Sequence, residues 1–147
     1  MDNVRDRVLL VTGGSRGIGA ATALLAARQG WAVAVNYSAN SLAADGVVRT
    51  IQAAGGHAIT VQADVADEAQ VLRMFEAVDA QLGRLTGLVN NAAGNFVAPT
   101  ESLSPRAFDA VAGIVFHGSF YVTQAIGKRW VAEAKDGRWK PGSAFRN

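Results

Sequence analysis

Four short apolar runs punctuate the chain, at 7–12 (RVLLVT), 32–36 (AVAVN), 57–62 (HAITVQ) and 85–90 (LTGLVN). Continuous apolar runs of this length read as strands covered on both faces. The stretches between them carry helical signals. Residues 17–29 are rich in alanine and leucine and stop at Gly30, and residues 41–54 stop at Gly55-Gly56. Val71, Met74, Phe75, Val78 and Leu82 then recur at helical spacing behind Asp67 and Gln70, which resemble a capping box. A long helix is predicted over 104–134, opened by Ser104-Pro105 as cap and first-turn proline. Phe108, Val111, Val115, Val122 and Ile126 are its expected buried stripe, with Gly118 as a point of close packing. Strands separated by helices pair in parallel through right-handed crossovers. The expected architecture is a three-layer α/β/α fold on a doubly wound parallel sheet, in strand order 3-2-1-4.

The turn after the first run carries chemistry. Thr12-Gly13-Gly14-Ser15-Arg16-Gly17-Ile18-Gly19 leads straight from strand to helix. A pyrophosphate needs backbone N–H groups aimed at it, a helix N-terminus, and no Cβ in the way. Gly13 permits the sharp exit from the strand, Gly17 lets the backbone approach, and Gly19 lets helix and sheet pack closely. The spacing is G-x3-G-x-G, which differs from the general G-x-G-x-x-G fingerprint.

The second strand ends in Asn36, Tyr37 and Ser38, with no carboxylate before Asp45 to grip the ribose 2′-hydroxyl of NAD. Arg16 offers a charge for a 2′-phosphate, with Ser15 and Ser38 as hydrogen-bond donors, so NADP(H) is favoured over NAD(H). The alternative for Arg16 is a solvated loop arginine. Asp64-Val65 follows the third strand at the same rim, where Asp64 either accepts from an adenine amino group or caps the next helix. Small residues at Asn91, Ala92 and Ala93, after the fourth strand, leave room for a flat ribose and ring.

Composition narrows the field. Half the residues are hydrophobic and 18% are charged, which fits a packed domain and excludes a disordered chain. There are no cysteines, hence no disulfide scaffold, thiol nucleophile or zinc–thiolate site, and no metal is expected. No uninterrupted apolar run nears the ~18 residues of a membrane span, and residues 1–7 lack a signal-peptide core. A cytoplasmic location without membrane partners is the expectation. Residues 1–127 hold 8 Lys/Arg against 10 Asp/Glu, and residues 128–147 hold 6 against 2. Basic charge confined to the last twenty residues argues against nucleic-acid binding.

Together these motifs resemble the short-chain dehydrogenase/reductase family over about residues 5–134, through T-G-x3-G-x-G at 12–19, Asp64-Val65, and N-N-A at 90–92. The resemblance implies a Rossmann-like fold and an NAD(P)-dependent oxidoreductase. It places cofactor contacts at Gly13, Ser15, Arg16, Ile18, Asp64, Val65 and Asn91, with Asn90 mainly holding the loop. Residues 90–129 are similar more narrowly to the 2,4-dienoyl-CoA reductases of fatty-acid metabolism, which act on acyl-CoA thioesters with NADPH. That similarity implies Asn95 as a donor to the thioester carbonyl or dienolate oxygen, with Phe96 and Ser104 lining an acyl-CoA pocket. The residue-level alternatives are that Asn95 caps a turn and Phe96 is core. Two features depart from the likeness: Ala66 stands where a basic residue is expected, and Val115 occupies the family's active-site asparagine position. His117, two residues on, reads as packing or surface.

The family's Tyr-x-x-x-Lys acid is missing, since Ser41 lies four residues after Tyr37 and Ala125 four after Tyr121. No fifth apolar strand follows Val131, and residues 135–147 read as a basic tail unlike the family. The organisation implied is a nucleotide-binding domain over 1–134, cut short after the fourth strand and long helix, with self-association through uncovered surface. The two open functions are an NADPH-dependent reductase of an enoyl- or dienoyl-CoA-type substrate and a non-catalytic nucleotide-binding or interaction fragment.

Overall fold

The computed structural model describes residues 7–138. Four parallel strands alternate with helices: β1 (Val8–Val11), α1 (Gly17–Arg28), β2 (Ala32–Tyr37), α2 (Ser41–Ala53), β3 (Ala58–Gln62), α3 (Glu68–Leu82) and β4 (Gly87–Val89). The sheet order is β3-β2-β1-β4, with Leu10 opposite both Ala34 and Leu88. This is the doubly wound, Rossmann-like topology expected from the alternation.

Strand alternation divides the core into two layers. Leu9, Val11, Val33 and Val35 pack against Ala23 and Ala26 of α1 and Ala44, Val48 and Ile51 of α2. Val8, Leu10, Ala32 and Ala34 face the other way, onto Val71, Met74, Phe75 and Val78 of α3. Each central strand is therefore apolar on both faces, which is why these runs show no polar alternation.

A 3-10 turn (Thr100–Ser102) leads into α4 (Pro105–Ala112), a π-helical segment (Gly113–Gly118) and α5 (Ser119–Lys135). Val122 and Ile126 of α5 join the second core layer. A Cβ on Gly118 would lie 2.6 Å from Val65 Cγ2, so the close packing expected there is present. The first half of the expected stripe is not buried. Phe108 is 57% exposed and Val115 is 38% exposed, because α4 and the π segment meet little besides each other and α5. The whole stretch Pro105–Lys135 is long and apolar enough to cross a membrane by length and composition alone. A search for uninterrupted apolar runs missed it, yet the buried Val122 and Ile126 dock it on the sheet.

The basic tail needs correction where it is described. Arg129 and Glu133 lie within α5 and belong to the fold, with Glu133 only 8% exposed. Expectations for residues 139–147 lie outside the described residues.

Candidate functional site

Loops after β1, β2, β3 and β4 surround a cavity of about 570 Å³ at the carboxyl ends of the strands. It is lined by Gly13, Ser15, Arg16, Gly17, Ile18, Tyr37, Ser38, Asp64, Val65, Asn91, Ala92 and Ala93, all singled out in the sequence. Gly19 sits beneath the lining, where a Cβ would fall 2.5 Å from Asn91 Nδ2 and also strike the Gly13 carbonyl. Asn36, Ala39, Asn40, Ala63 and Ile114 also line the cavity and carried no site assignment in the sequence reading.

The start of α1 differs from the other helix starts. Asn40 caps α2 through Ala43 N–H (3.0 Å), Asp67 caps α3 through Gln70 N–H (3.1 Å), and Ser104 caps α4 through Ala107 N–H (3.1 Å). At α1 the cap residue is Arg16, and no side chain accepts a hydrogen bond. The first helical bond runs from Ala20 N–H to Arg16 O (3.2 Å), so the N–H groups of Gly17, Ile18 and Gly19 precede it. Donors left this way at a positive helix end suit an anion.

The turn feeding α1 is held from behind. Gly13 has φ +60°, and a Cβ there would lie 2.9 Å from Ala92 Cα. Gly13 N–H donates to Asn36 Oδ1 (3.1 Å), and Gly14 N–H donates to Asn36 O (2.8 Å). Asn91 Nδ2 donates to Thr12 O (3.0 Å) and Gly13 O (2.9 Å). Thr12, 1% exposed, accepts the N–H groups of Asn91 and Ala92 at 3.0 Å each and donates to Val89 O (3.4 Å). The two loops are thus braced by side-chain bonds to main chain. Thr12 and Asn36 were legible as strand-end residues, but nothing in the spacing marked them as braces.

Three expectations change. Asp64 does not cap α3, which Asp67 does. Asp64 Oδ1 accepts Ala66 N–H (2.9 Å), and Asp64 N–H donates to Gln70 Oε1 (2.9 Å). Gln70 therefore reaches past the usual capping-box partner to hold the Asp64 turn. Its Nε2 also donates to Asp67 Oδ2 (3.0 Å), and these Gln70 bonds lower the Asp67 pKa from its ordinary value. The loop-holding role divides between two asparagines, since Asn90 Nδ2 reaches Thr123 Oγ1 (2.8 Å) on α5 while Asn91 braces the glycine turn. Asn95 and Phe96 stay outside the cavity, and Phe96 is 58% exposed, so it is not core. Ser104 is the exposed cap of α4, away from the cavity lining. His117 is exposed, as expected for a surface position. Among the described residues no cluster of metal-ligating side chains occurs.

Residues 7–138 match the short chain dehydrogenase family. The chain belongs to that family. It is 46% identical over 123 residues to an uncharacterized oxidoreductase of Escherichia coli (strain K12), covering 83% of this chain and 50% of the relative. A probable 2,4-dienoyl-CoA reductase of Bacillus subtilis is 36% identical over 131 residues, covering 89% of this chain and 51% of the relative. A short chain dehydrogenase structure from Mycobacterium avium superposes with a TM-score of 0.86 at 34% identity, over 92% of this chain and 51% of that one. The chain spans about half the length of the curated relatives it matches.

Proposed function

We propose that the cavity binds NADP(H) and that this chain supplies the cofactor-holding half of a reductase for enoyl- or dienoyl-CoA-type substrates. The observation that carries the reading is the uncapped start of α1. The free N–H groups of Gly17, Ile18 and Gly19 suit the pyrophosphate, beside Arg16 and a β2 end without a carboxylate. Arg16 and Ser38 would hold the 2′-phosphate, and Asp64 and Val65 would flank the adenine. Asn91, Ala92 and Ala93 would border the nicotinamide ribose. The cofactor supplies a hydride when bound, and the protein orients it and excludes water. Asn95, Phe96 and Ser104 remain the candidate substrate side, and the likeness to the Bacillus subtilis relative supports an acyl-CoA thioester there.

The absent Tyr-x-x-x-Lys pair favours a second reading, nucleotide binding without turnover. General acid catalysis is worth roughly 10²–10⁴-fold in rate. The isolated chain should therefore bind NADPH yet oxidise it negligibly with a dienoyl-CoA. Fluorescence titration separates these readings, with NADPH expected to bind more tightly than NADH. Arg16→Ala should weaken NADPH binding about tenfold or more and leave NADH nearly unchanged. Tighter binding of NADH would sink the assignment. Exposed Phe108, Phe116 and Phe120 also support self-association, which light scattering would register as a mass above the monomer's.

A further inference from the structure

Asn36 is among the few buried polar residues described, 2% exposed at the end of β2. Its carboxamide works in two directions at once. Oδ1 accepts Gly13 N–H (3.1 Å), while Nδ2 donates to Val61 O (3.3 Å) and Ala63 O (3.1 Å). Its main-chain oxygen takes Gly14 N–H (2.8 Å). Both glycine amides of the turn thus end on one residue, and the next donors along the chain are those at the start of α1. Ala63 precedes Asp64, so the same side chain pins the β3 exit on which Asp64 stands.

We infer that Asn36 is a positioning residue that sets the glycine turn and the Asp64 turn against each other, and that this role requires an amide. The inference rests on the reading of the cavity as a dinucleotide site. An aspartate there would keep the acceptor for Gly13 but turn its second oxygen toward two carbonyl oxygens, with no donor to offer. Buried beside acceptors, such a carboxyl is driven toward its neutral form. When protonated it offers a hydroxyl donor and restores the pattern. Asn36→Asp therefore converts a silent brace into a pH-sensitive one, whereas Asn36→Ala loses both directions at every pH.

The test titrates wild type, Asn36→Asp and Asn36→Ala with NADP+ by calorimetry between about pH 8 and about pH 5.5, with thermal melts at each pH. Affinities are read as ratios to wild type at the same pH, which removes the titration of the ligand's own phosphate. At high pH, Asn36→Asp is expected to bind about tenfold more weakly than wild type, and the deficit is expected to close in acid. Asn36→Ala is expected to bind weakly by a constant ratio. Wild-type affinity for Asn36→Asp at high pH, or a deficit that persists in acid, would overturn the inference. If Asn36→Asp does not fold at high pH, Asn36→Ala decides, and an affinity equal to wild type overturns it. Should wild type bind no dinucleotide, the cofactor reading fails by itself. Hydrogen exchange at Gly13 in ligand-free protein then judges Asn36, with faster exchange expected in both variants at high pH and unchanged exchange refuting the role.

Discussion

The two ends of the sheet handle polar groups in opposite ways. At the amino-terminal end, before β4, charges are spent on one another. Glu133 accepts from Arg84 Nε (2.6 Å) and Arg129 Nε (3.2 Å), and Arg129 also pairs with Asp79 of α3. Trp130 Nε1 donates to Leu85 O (2.9 Å), fastening α5 to the segment before β4. At the carboxyl-terminal end, the helix donors of α1 are left unspent while Thr12, Asn36 and Asn91 hold the loops around them. One end is closed by its own residues, and the other is built to be completed by a ligand. Stability and binding should therefore respond separately to changes at the two ends.

The largest expected effect breaks the open end. Gly19→Ala places a methyl group against Asn91 and the Gly13 carbonyl, and overpacking there should cost about 3 kcal/mol and remove cofactor binding. Paired melts and titrations would show both losses. An unshifted melt would mean that the two loops give way easily.

Glu133→Ala probes the closed end. It leaves Arg84 and Arg129 without their shared carboxylate, at a cost of about 2 kcal/mol in denaturant unfolding, with NADPH affinity nearly unchanged. The pH dependence sharpens this. Burial raises the Glu133 pKa, but the hydrogen bonds and charges of Arg84 and Arg129 outweigh it and hold the carboxyl below its ordinary value. A group depressed on folding contributes fully above its unfolded pKa and loses that contribution as pH falls through the folded one. The stability gap between wild type and Glu133→Gln should therefore be widest near neutrality and narrow in acid. A gap that widens in acid would contradict the pairing.

The smallest effect is expected for Phe96→Ser, since the ring is mostly solvated. Its stability should change by less than about 0.5 kcal/mol in the same unfolding assay. A larger loss would place Phe96 in a contact that the described residues do not reveal.

What the sequence revealed follows the range of the forces involved. Strand order and the lining of the cavity were legible because buried parallel strands and glycine turns leave local patterns. The caps at Asp67 and Ser104 were equally local. The braces were not, because Thr12 meets Asn91 and Asn36 meets Gly13 and Ala63 only once the sheet exists. Glu133 was misread as part of a basic tail for the same reason, since its partner Arg84 lies far back in the chain. The expected burial of Phe108 and Val115 failed because periodicity shows which face is apolar and cannot show whether anything covers it.

The Thr12 hydroxyl gives the loop after β4 an unusual standing. Residues 90–99 carry no regular secondary structure, yet two of their amides point at one buried oxygen. Those amides can meet solvent only when β1 and β4 part, so Asn91 and Ala92 should retain deuterium label nearly as long as the strands do, while Asn95 and Val97 lose it early. In kinetic terms the sheet extends one rung beyond its last assigned residue, and a single threonine sets the lifetime of that rung.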